Sequence, residues 1–457
     1  MVVITKSHSR RDEQEPLLAR LESGATTATG VRGHQDTCHS KLSSDSLTPS
    51  EPPAYEDIHS GRKKRSPAAR FGLAFLTALC VYTLLLLMLS LLSMRRYTAR
   101  PTLTPTFPSR EDGRVISRHA PASWTVATNN SGRYRRSADV SFELPLPDEH
   151  TGYYFLTRGS TAKGTVLYQP LEYDPAAKWV PAISVNLTIL YNDDSQLAAA
   201  SVVTLAKDAS TEMGVGLYMP DGDADMHVIL RVFVPVSIDP GVRGLTSYGH
   251  GTIFLQNPFL VVNTKLQTDT APIQGQLIAT FRASLLTESG AIVVDTQLGE
   301  GWPLPVPAGV VTNTQMGSRS GFIGGSVRPS RADSFAVLAE TSTGNINVPI
   351  TSIPPGAALE ARAESDTGDV SFSLHSGFEG RATLHSVRGT VNLQVQMEIT
   401  DPAGQARRHN IVGHPAGPDL KSWWGDIWWG DDTDRARRNS TVVLRTEQGI
   451  CLLNIRD

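Results

Sequence analysis

The stretch TGDVSFSL, residues 367–374, decides the fold, because a glycine turn leads into a strand of alternating polarity. Successive side chains of a strand point to opposite faces, so Val370, Phe372 and Leu374 share one face. That arrangement is the one a half-buried strand requires. The stretch therefore predicts a strand that covers an apolar core.

The same turn recurs along the second half of the chain. The clearest steps, Gly344 to Gly368 and Gly368 to Gly389, are 24 and 21 residues. Further copies begin at Gly251, Gly290 and Gly449. Such a period is about one turn of a β-solenoid, whose rungs bury their apolar faces by stacking on each other. A β-sandwich is the alternative, since short strands at regular spacing also suit a sandwich.

Short β-rich strings also fill the region before the repeats. They lie at 140–144, 184–190, 202–205 and 226–234, between clusters of Gly, Pro, Asp and Asn. This composition is typical of strands separated by turns. We expect an all-β region with an N-terminal part over 139–245 and a Gly-turn β-repeat domain over 246–457.

Residues 71–94 form an apolar run of 24 residues that contains no charge. A helix of this length is about 36 Å long, enough to cross a hydrocarbon core of about 30 Å. Five basic residues precede the run within 62–70 and three follow it within 95–100, which favours a cytosolic N-terminus. The run predicts a transmembrane helix in a single-pass protein.

Three N-x-S/T sequons, at Asn129, Asn186 and Asn439, all follow the apolar run. Since glycosylation takes place only in the secretory lumen, they support an exterior C-terminal region. The location predicted is the plasma membrane or a vacuolar or endosomal membrane. Beyond the run the only cysteine is Cys451, so the exterior has no intrachain disulfide.

Residues 1–66 are rich in polar residues and poor in aromatics, which predicts a disordered cytosolic tail. Within it, Pro52, Pro53 and Tyr55 form a PPxY motif, a ligand for WW domains such as those of ubiquitin ligases. Glu13, Leu17 and Leu18 resemble an acidic dileucine sorting signal. Both motifs predict addressing or turnover signals on the cytosolic side.

Residues 95–138 contain several prolines and no periodicity, so we expect a stalk between the membrane and the β region. The segment 133–137, RYRRS, resembles a dibasic site for a Golgi protease. A basic stalk without cleavage is the favoured interpretation. Whether Arg135 and Arg136 are processed stays open at this point.

The motif WWGDIWWG, residues 423–430, holds four of the seven tryptophans, Trp423, Trp424, Trp428 and Trp429. Indole faces stack on sugar rings and also anchor interfaces. A hairpin that caps the end of the β core is the favoured role, with one tryptophan of each pair buried. The outer tryptophans could still contact a cell-wall glycan.

The repeats at Gly344 and Gly368, of the form T-G-[ND]-[IV]-x-[VFL], resemble the adhesin-type repeats of bacterial and fungal surface proteins. The order of PPxY tail, single span and Gly-rich β exterior is similar to that of fungal membrane proteins with an adhesin-like domain. The resemblance covers about residues 246–457, and the uneven interval from Gly290 to Gly344 departs from it. It implies no catalytic residues.

The sequence contains none of the catalytic or metal-binding motifs for which we searched. The net charge of −3 gives no reason to expect nucleic-acid binding. No H-E-x-x-H or Cys/His ligand pattern occurs, and Asp221, Asp223 and Asp225 lack the glycine and glutamate of a calcium loop. We expect no catalytic residue, no metal and no cofactor.

These features together predict a glycosylated, adhesin-like or wall-facing binding module on a membrane anchor. One alternative is a membrane-anchored adaptor that recruits a WW-domain ubiquitin ligase. Replacing Tyr55 by alanine would distinguish the two, because only an adaptor should lose its effect on other membrane proteins. A β-helix enzyme acting on polysaccharide is a further alternative, but Asp366, Asp369 and Glu379 do not form a row by spacing.

Overall fold

The described part of the chain consists almost entirely of β-strands. The computed structural model describes residues 81–83, 106–119, 123–128, 132–145, 152–171, 182–207, 211–222, 225–235, 244–299, 311–330, 334–396, 398–416, 421–431 and 439–457. Contacts divide the chain into two compact units, Met1–Ala99 and Arg100–Asp457. All described strands lie in the second unit, the β body. The prediction of an all-β region is confirmed.

The strands of the N-terminal part are short and follow one another closely. They are β1 Arg114–His119, β2 Thr125–Thr128, β3 Arg136–Pro145, β4 Gly152–Arg158, β5 Gly164–Leu171, β6 Ala182–Tyr191, β7 Ser201–Ala206, β8 Met213–Tyr218, β9 His227–Pro235 and β10 Gly244–Gly249. A five-residue helix, α1 Asp194–Ala198, separates β6 from β7, and a 3-10 turn covers Arg110–Asp112.

The remaining strands form the repeat region. They are β11 Thr252–Thr268, β12 Ile273–Thr287, β13 Ile292–Leu298, β14 Val311–Ser318, β15 Ile323–Gly324, β16 Val327–Pro329, β17 Ser334–Thr341, β18 Ile346–Ile350, β19 Ala358–Ser365, β20 Val370–His375, β21 Gly380–Ser386, β22 Val391–Val395, β23 His409–Ala416, β24 Ser422–Trp429, β25 Ser440–Thr446 and β26 Cys451–Arg456.

The middle of the β body is a parallel stack of rungs with two faces. Face A consists of β8, β4, β10, residues 263–268 of β11, residues 282–287 of β12, and then β14, β17, β19, β25 and β21, in that order. Face B consists of β9, β5, the first halves of β11 and β12, and then β13, β15 with β16, β18, β20, β26 and β22. Such a stack is solenoid-like rather than a sandwich.

The interior between the two faces is one apolar cluster. Val370, Phe372 and Leu374 are fully buried in it, as the alternating pattern predicts. At the N-terminal end, antiparallel strands cover the stack: β7 and β1 on face A, and β6, β3 and β2 on face B. At the other end, β24 and β23 add to β21 as an antiparallel hairpin. These additions cover stack edges that would otherwise pair with other chains.

The order of the last rungs differs from the order in the sequence. The step from Gly368 to Gly389 suggests adjacent rungs, but β19 and β20 do not pair with β21 and β22. The C-terminal rung, β25 with β26, lies between them and pairs in parallel on both sides. The chain therefore completes its stack by inserting its last rung between two earlier ones.

A repeated hydrogen-bond unit explains the glycine of each turn. The amide of Gly368 donates to Ser365 Oγ at 2.9 Å, and Ser365 Oγ donates to the carbonyl of Gly344 on the neighbouring rung at 2.9 Å. A Cβ on Gly368 would lie 1.9 Å from that same carbonyl oxygen. We call the column of these Ser/Thr-x-x-Gly turns the Gly spine. The glycines of its turns are Gly290, Gly321, Gly344, Gly368, Gly449 and Gly389.

Part of the segment expected to be a stalk belongs to the β body. β1, β2 and the start of β3 lie within residues 95–138. β1 is a polar edge strand whose register shifts between Val115 and Ser117, so its sequence lacks the alternation that marks a strand. Long-range pairing of β1 with β7 and of β3 with β6, rather than a local pattern, orders this segment.

Asp112 attaches the N-terminal segment to face A. Its carboxylate is almost fully buried and accepts hydrogen bonds from Arg158 Nη2 at 2.9 Å and from Tyr218 Oη at 3.0 Å. Burial alone would raise the pKa of Asp112, but hydrogen bonds from the Ser109 amide and Arg158 outweigh it and lower the pKa below its usual value. The ionised carboxylate is therefore the form that holds this segment.

Replacing Asp112 by asparagine is expected to destabilise the β body at pH 7 and to have less effect in acid. An unfolded aspartate titrates near pH 4, and the folded pKa lies lower. The ionised group thus contributes stability above about pH 4, which is lost as the pH falls through the folded pKa. Urea unfolding at pH 7 and pH 3 measures this, and an equal loss at both values would contradict it.

The predicted transmembrane run and tail fall outside the described residues, except for residues 81–83, which are helical. No helix in the described ranges is long and apolar enough to cross a membrane. The PPxY residues Pro52, Pro53 and Tyr55 and the dileucine residues Glu13, Leu17 and Leu18 also lie outside these ranges.

Candidate functional site

The hairpin β23–β24 places the four tryptophans at the C-terminal end of face A. Trp428 and Trp429 are both buried, Trp423 is half-buried, and Trp424 is 43% exposed. A cap at the end of the stack is therefore observed. The expectation that each pair buries one tryptophan fails for the second pair, since Trp428 is covered as well as Trp429.

Two of these tryptophans are fixed by backbone groups. Trp429 Nε1 donates to the carbonyl of Ser376 at 2.9 Å, and its ring packs 4.6 Å from that of His409. The Trp423 indole lies over the glycine pair Gly413 and Gly425, since a Cβ on either glycine would come within 2.7 Å of the ring. Gly425, the glycine of the first WWG unit, therefore makes room for the Trp423 ring.

Trp424 points outward and belongs to a row of side chains that crosses five strands. Its cross-strand neighbours are Thr383 on β21 and His414 on β23, and the row continues to Val443 on β25 and Arg362 on β19. At about 4.8 Å between strands, the row is about 19 Å long. We call these five residues the Trp424 platform.

The platform offers an apolar surface rather than a pocket. The His414 and Trp424 rings lie 4.7 Å apart at an interplanar angle of 41°. Val443 is 36% exposed and stands between Arg362 and Thr383. The strip from His414 to Val443 therefore exposes aromatic and aliphatic surface, with Thr383 between Trp424 and Val443.

Polar pairs border the strip on both sides. Arg381 Nε lies 3.1 Å from Asp426 Oδ1 on one side, with Arg381 strongly exposed. On the other side His385 Nδ1 lies 3.0 Å from Ser422 Oγ. Each pair connects β21 to β24 and lies two residues along these strands from the pair Thr383 and Trp424. The borders therefore supply hydrogen-bond donors and acceptors, while the charges are already paired with each other.

The sequence indicates all four tryptophans as candidate contacts, without distinguishing Trp424, and it does not indicate the neighbours of Trp424. Thr383, Arg381 and Asp426 come together only because β24 pairs antiparallel with β21, 37 to 45 residues away in the chain. Val443 and Arg362 join the row only because the last rung is inserted. No local motif signals either pairing.

The carboxylates considered for other chemistry serve the fold. Asp221 accepts from the Ser160 amide at 2.6 Å, and Asp225 pairs with Arg133 at 2.6 Å. Asp369 accepts from the Ile450 amide at 2.8 Å, and Glu379 pairs with Arg407. Among the described residues there is no cluster of three or more His, Cys, Asp or Glu side chains that could hold a metal.

Two of the three sequons lie in described residues. Asn186 is half-buried in the middle of β6, with its side chain on the outer side of face B, and Asn439 is exposed just before β25. Asn129 lies outside the described ranges. Near the basic segment, Arg133 and Arg136 pair with Asp225 and Asp194, and β3 begins at Arg136. A protease would have to open these contacts to cut there.

Comparisons with known proteins give only distant structural matches. No protein-family model and no curated protein sequence matches this chain. A solved structure from Clostridium sporogenes, described as a "putative cell adhesion protein", matches at 8% identity, covering 70% of this chain and 100% of that one, with a TM-score of 0.20. A "putative adhesin" from Bacteroides fragilis matches at 9% identity, 70% and 97% coverage and a TM-score of 0.30. A "putative adhesin" from Parabacteroides merdae matches at 9% identity, 70% and 96% coverage and a TM-score of 0.28.

Proposed function

We propose that the β body is an adhesin-like binding module whose Trp424 platform binds a neutral glycan. The observation that carries this proposal is the exposed Trp424 indole in a straight row with His414, Thr383 and Val443. Pyranose rings present apolar C–H faces, and an exposed indole is a suitable stacking partner for them. The hydroxyl groups at the rim of each ring would meet the polar borders.

The paired charges favour a neutral ligand over a polyanion. Arg381 is the exposed cation nearest to Trp424 in the register, and Asp426 already faces it. A polyanion binds best to unpaired basic side chains, which release counterions. A neutral polysaccharide needs no such excess, and a strip that crosses several neighbouring strands suits an extended chain of sugars.

We propose further that residues 71–94 anchor this module in a membrane with the N-terminus in the cytosol. The PPxY motif would then recruit a WW-domain protein, with a ubiquitin ligase as the partner of choice, and the dileucine motif would direct sorting. Sequons at Asn129, Asn186 and Asn439 would carry N-glycans on the exterior side. These assignments rest on the sequence, and a fungal wall would supply the glycan.

Replacing Trp424 by alanine is expected to weaken polysaccharide binding at least about tenfold, because a lost stacking contact of about 1.4 kcal/mol corresponds to that factor. The test is a pull-down of the full chain in detergent with insoluble β-1,3-glucan, chitin and mannan. Replacing Phe254, which is exposed to a similar degree on face B, by alanine is the matched control and should leave binding unchanged. Equal retention of the wild type and the Trp424 variant on the bound polysaccharide, or no retention of the wild type on any of them, would contradict the proposal.

A further inference from the structure

The C-terminal rung, β25 with β26, lies between two rungs that precede it in the chain. β25 pairs with β19 on one side and β21 on the other, and β26 pairs with β20 and β22. Its inward side chains Val442, Leu444, Leu453 and Ile455 are buried in the common core. We call the space that this rung fills, between β19 with β20 and β21 with β22, the slot, and its two walls match the rung in register.

The Gly spine passes through the inserted rung without interruption. Thr446 Oγ1 donates to the carbonyl of Gly368 at 2.9 Å, and Ser386 Oγ donates to the carbonyl of Gly449 at 2.8 Å. Both walls of the slot thus make the same spine contact that Ser318 and Ser365 make to the carbonyls of Gly290 and Gly344. Recognition of the rung depends on backbone pairing and this repeated unit, which any copy of residues 440–457 provides equally well.

The connection to the rest of the chain does not restrict the rung to its own slot. β24 is separated from β25 only by β21, two strand spacings or about 10 Å. About ten residues join Gly430 to Ser440, and they can span about 33 Å when extended. This inference rests on the membrane anchoring proposed above, which would hold neighbouring molecules in one membrane and bring them within the reach of such a tether.

We propose that residues 440–457 exchange between copies of this chain, so that the slot of one molecule binds the C-terminal rung of another. Exchange preserves every contact of the closed form, and its cost is set mainly by the local concentration of partners. A second copy is therefore the partner of this site. The result is a homodimer or a chain of molecules linked through their C-terminal rungs.

Two single-cysteine variants test this exchange. Gln394 on β22 and Asn454 on β26 are register partners on the outer side of face B. The full chains Gln394→Cys and Asn454→Cys, with different tags and with Cys38 and Cys80 replaced, are co-expressed and oxidised. Cys451 stays in place, because it is fully buried and burial raises its pKa to about 11. Only exchange brings the two new cysteines together, so we expect a disulfide-linked dimer that carries both tags.

The control pair is Asn347→Cys with Ser371→Cys, on the consecutive rungs of β18 and β20. We expect the exchanged pair to give at least about tenfold more mixed dimer than this control, because exchange holds its two cysteines together whereas the control cysteines meet only by collision. A chain with both Gln394→Cys and Asn454→Cys should form an internal disulfide, which verifies the register. The proposal is overturned if this double variant links internally while the mixed pair does not, or if both mixed pairs link equally. It also fails if the double variant stays reduced, since the register is then different.

Discussion

Replacing Gly368 by alanine is expected to destabilise the β body by about 3 kcal/mol, the upper end of the usual cost of overpacking. The new Cβ would lie 1.9 Å from the Gly344 carbonyl oxygen, a distance that no van der Waals contact allows. That carbonyl accepts the Ser365 hydrogen bond, and the Gly368 amide donates to the same hydroxyl. Relief of the clash would therefore disturb two rungs at once. Urea unfolding of the purified full chain measures the loss.

The matched control is Gly244→Ala, at the start of β10. A Cβ there would lie 3.4 Å from its nearest neighbour, the Gly152 Cα, which is an ordinary contact. We expect this change to alter the free energy of unfolding by less than about 1 kcal/mol. If the two alanine variants unfold at the same urea concentration, close approach between turns does not explain the spine glycines.

Replacing Trp429 by alanine is expected to cost about 4 kcal/mol, in the range measured for large aromatic residues removed from cores. Trp429 is among the largest side chains that are fully buried, and its indole nitrogen donates to the Ser376 carbonyl at 2.9 Å. The change would leave a cavity and an unpaired carbonyl between the cap hairpin and the stack. Thermal unfolding and urea titration together would detect it.

Trp424 is the natural comparison, since the same residue type lies on the same strand with 43% of its surface exposed. The Trp424→Ala variant should lose less than about 1 kcal/mol of stability. A loss as large as that of Trp429→Ala would assign Trp424 to the cap rather than to a binding surface. The contrast between the two variants therefore distinguishes a tryptophan that stabilises the fold from one that is available to bind a ligand.

Much of the fold can be predicted from short patterns. The alternation in residues 367–374 identifies a half-buried strand, and Val370, Phe372 and Leu374 are buried as expected. The glycine before this strand can also be found, because a Cβ at Gly368 has no room beside a neighbouring rung. A Ser or Thr lies three residues before each of these glycines and accepts a hydrogen bond from its amide. This spacing is present in the sequence, but the structure is needed to recognise its role.

What escapes prediction depends on contacts between distant residues. The Gly368 and Gly389 turns are so alike that nothing in them indicates a rung between them, and only the pairing of β25 on both sides reveals it. β1 has no alternation because it is a charged edge strand held by β7 and Asp112. Within the tryptophan motif, the exposure of each indole follows from Gly413 on the partner strand and from the pairing to β21, neither of which is part of the motif.

The most direct test of the binding surface is hydroxyl-radical footprinting of the full chain with and without soluble oligosaccharides. The probes are laminarihexaose, chitohexaose and a mannan oligosaccharide. We expect the bound oligosaccharide to reduce oxidation of Trp424 and His414 on the outer side of face A, while Phe254 on face B reacts as before. Protection of residues elsewhere, with Trp424 still oxidised at its original rate, would contradict the assignment of the Trp424 platform as the glycan-binding site.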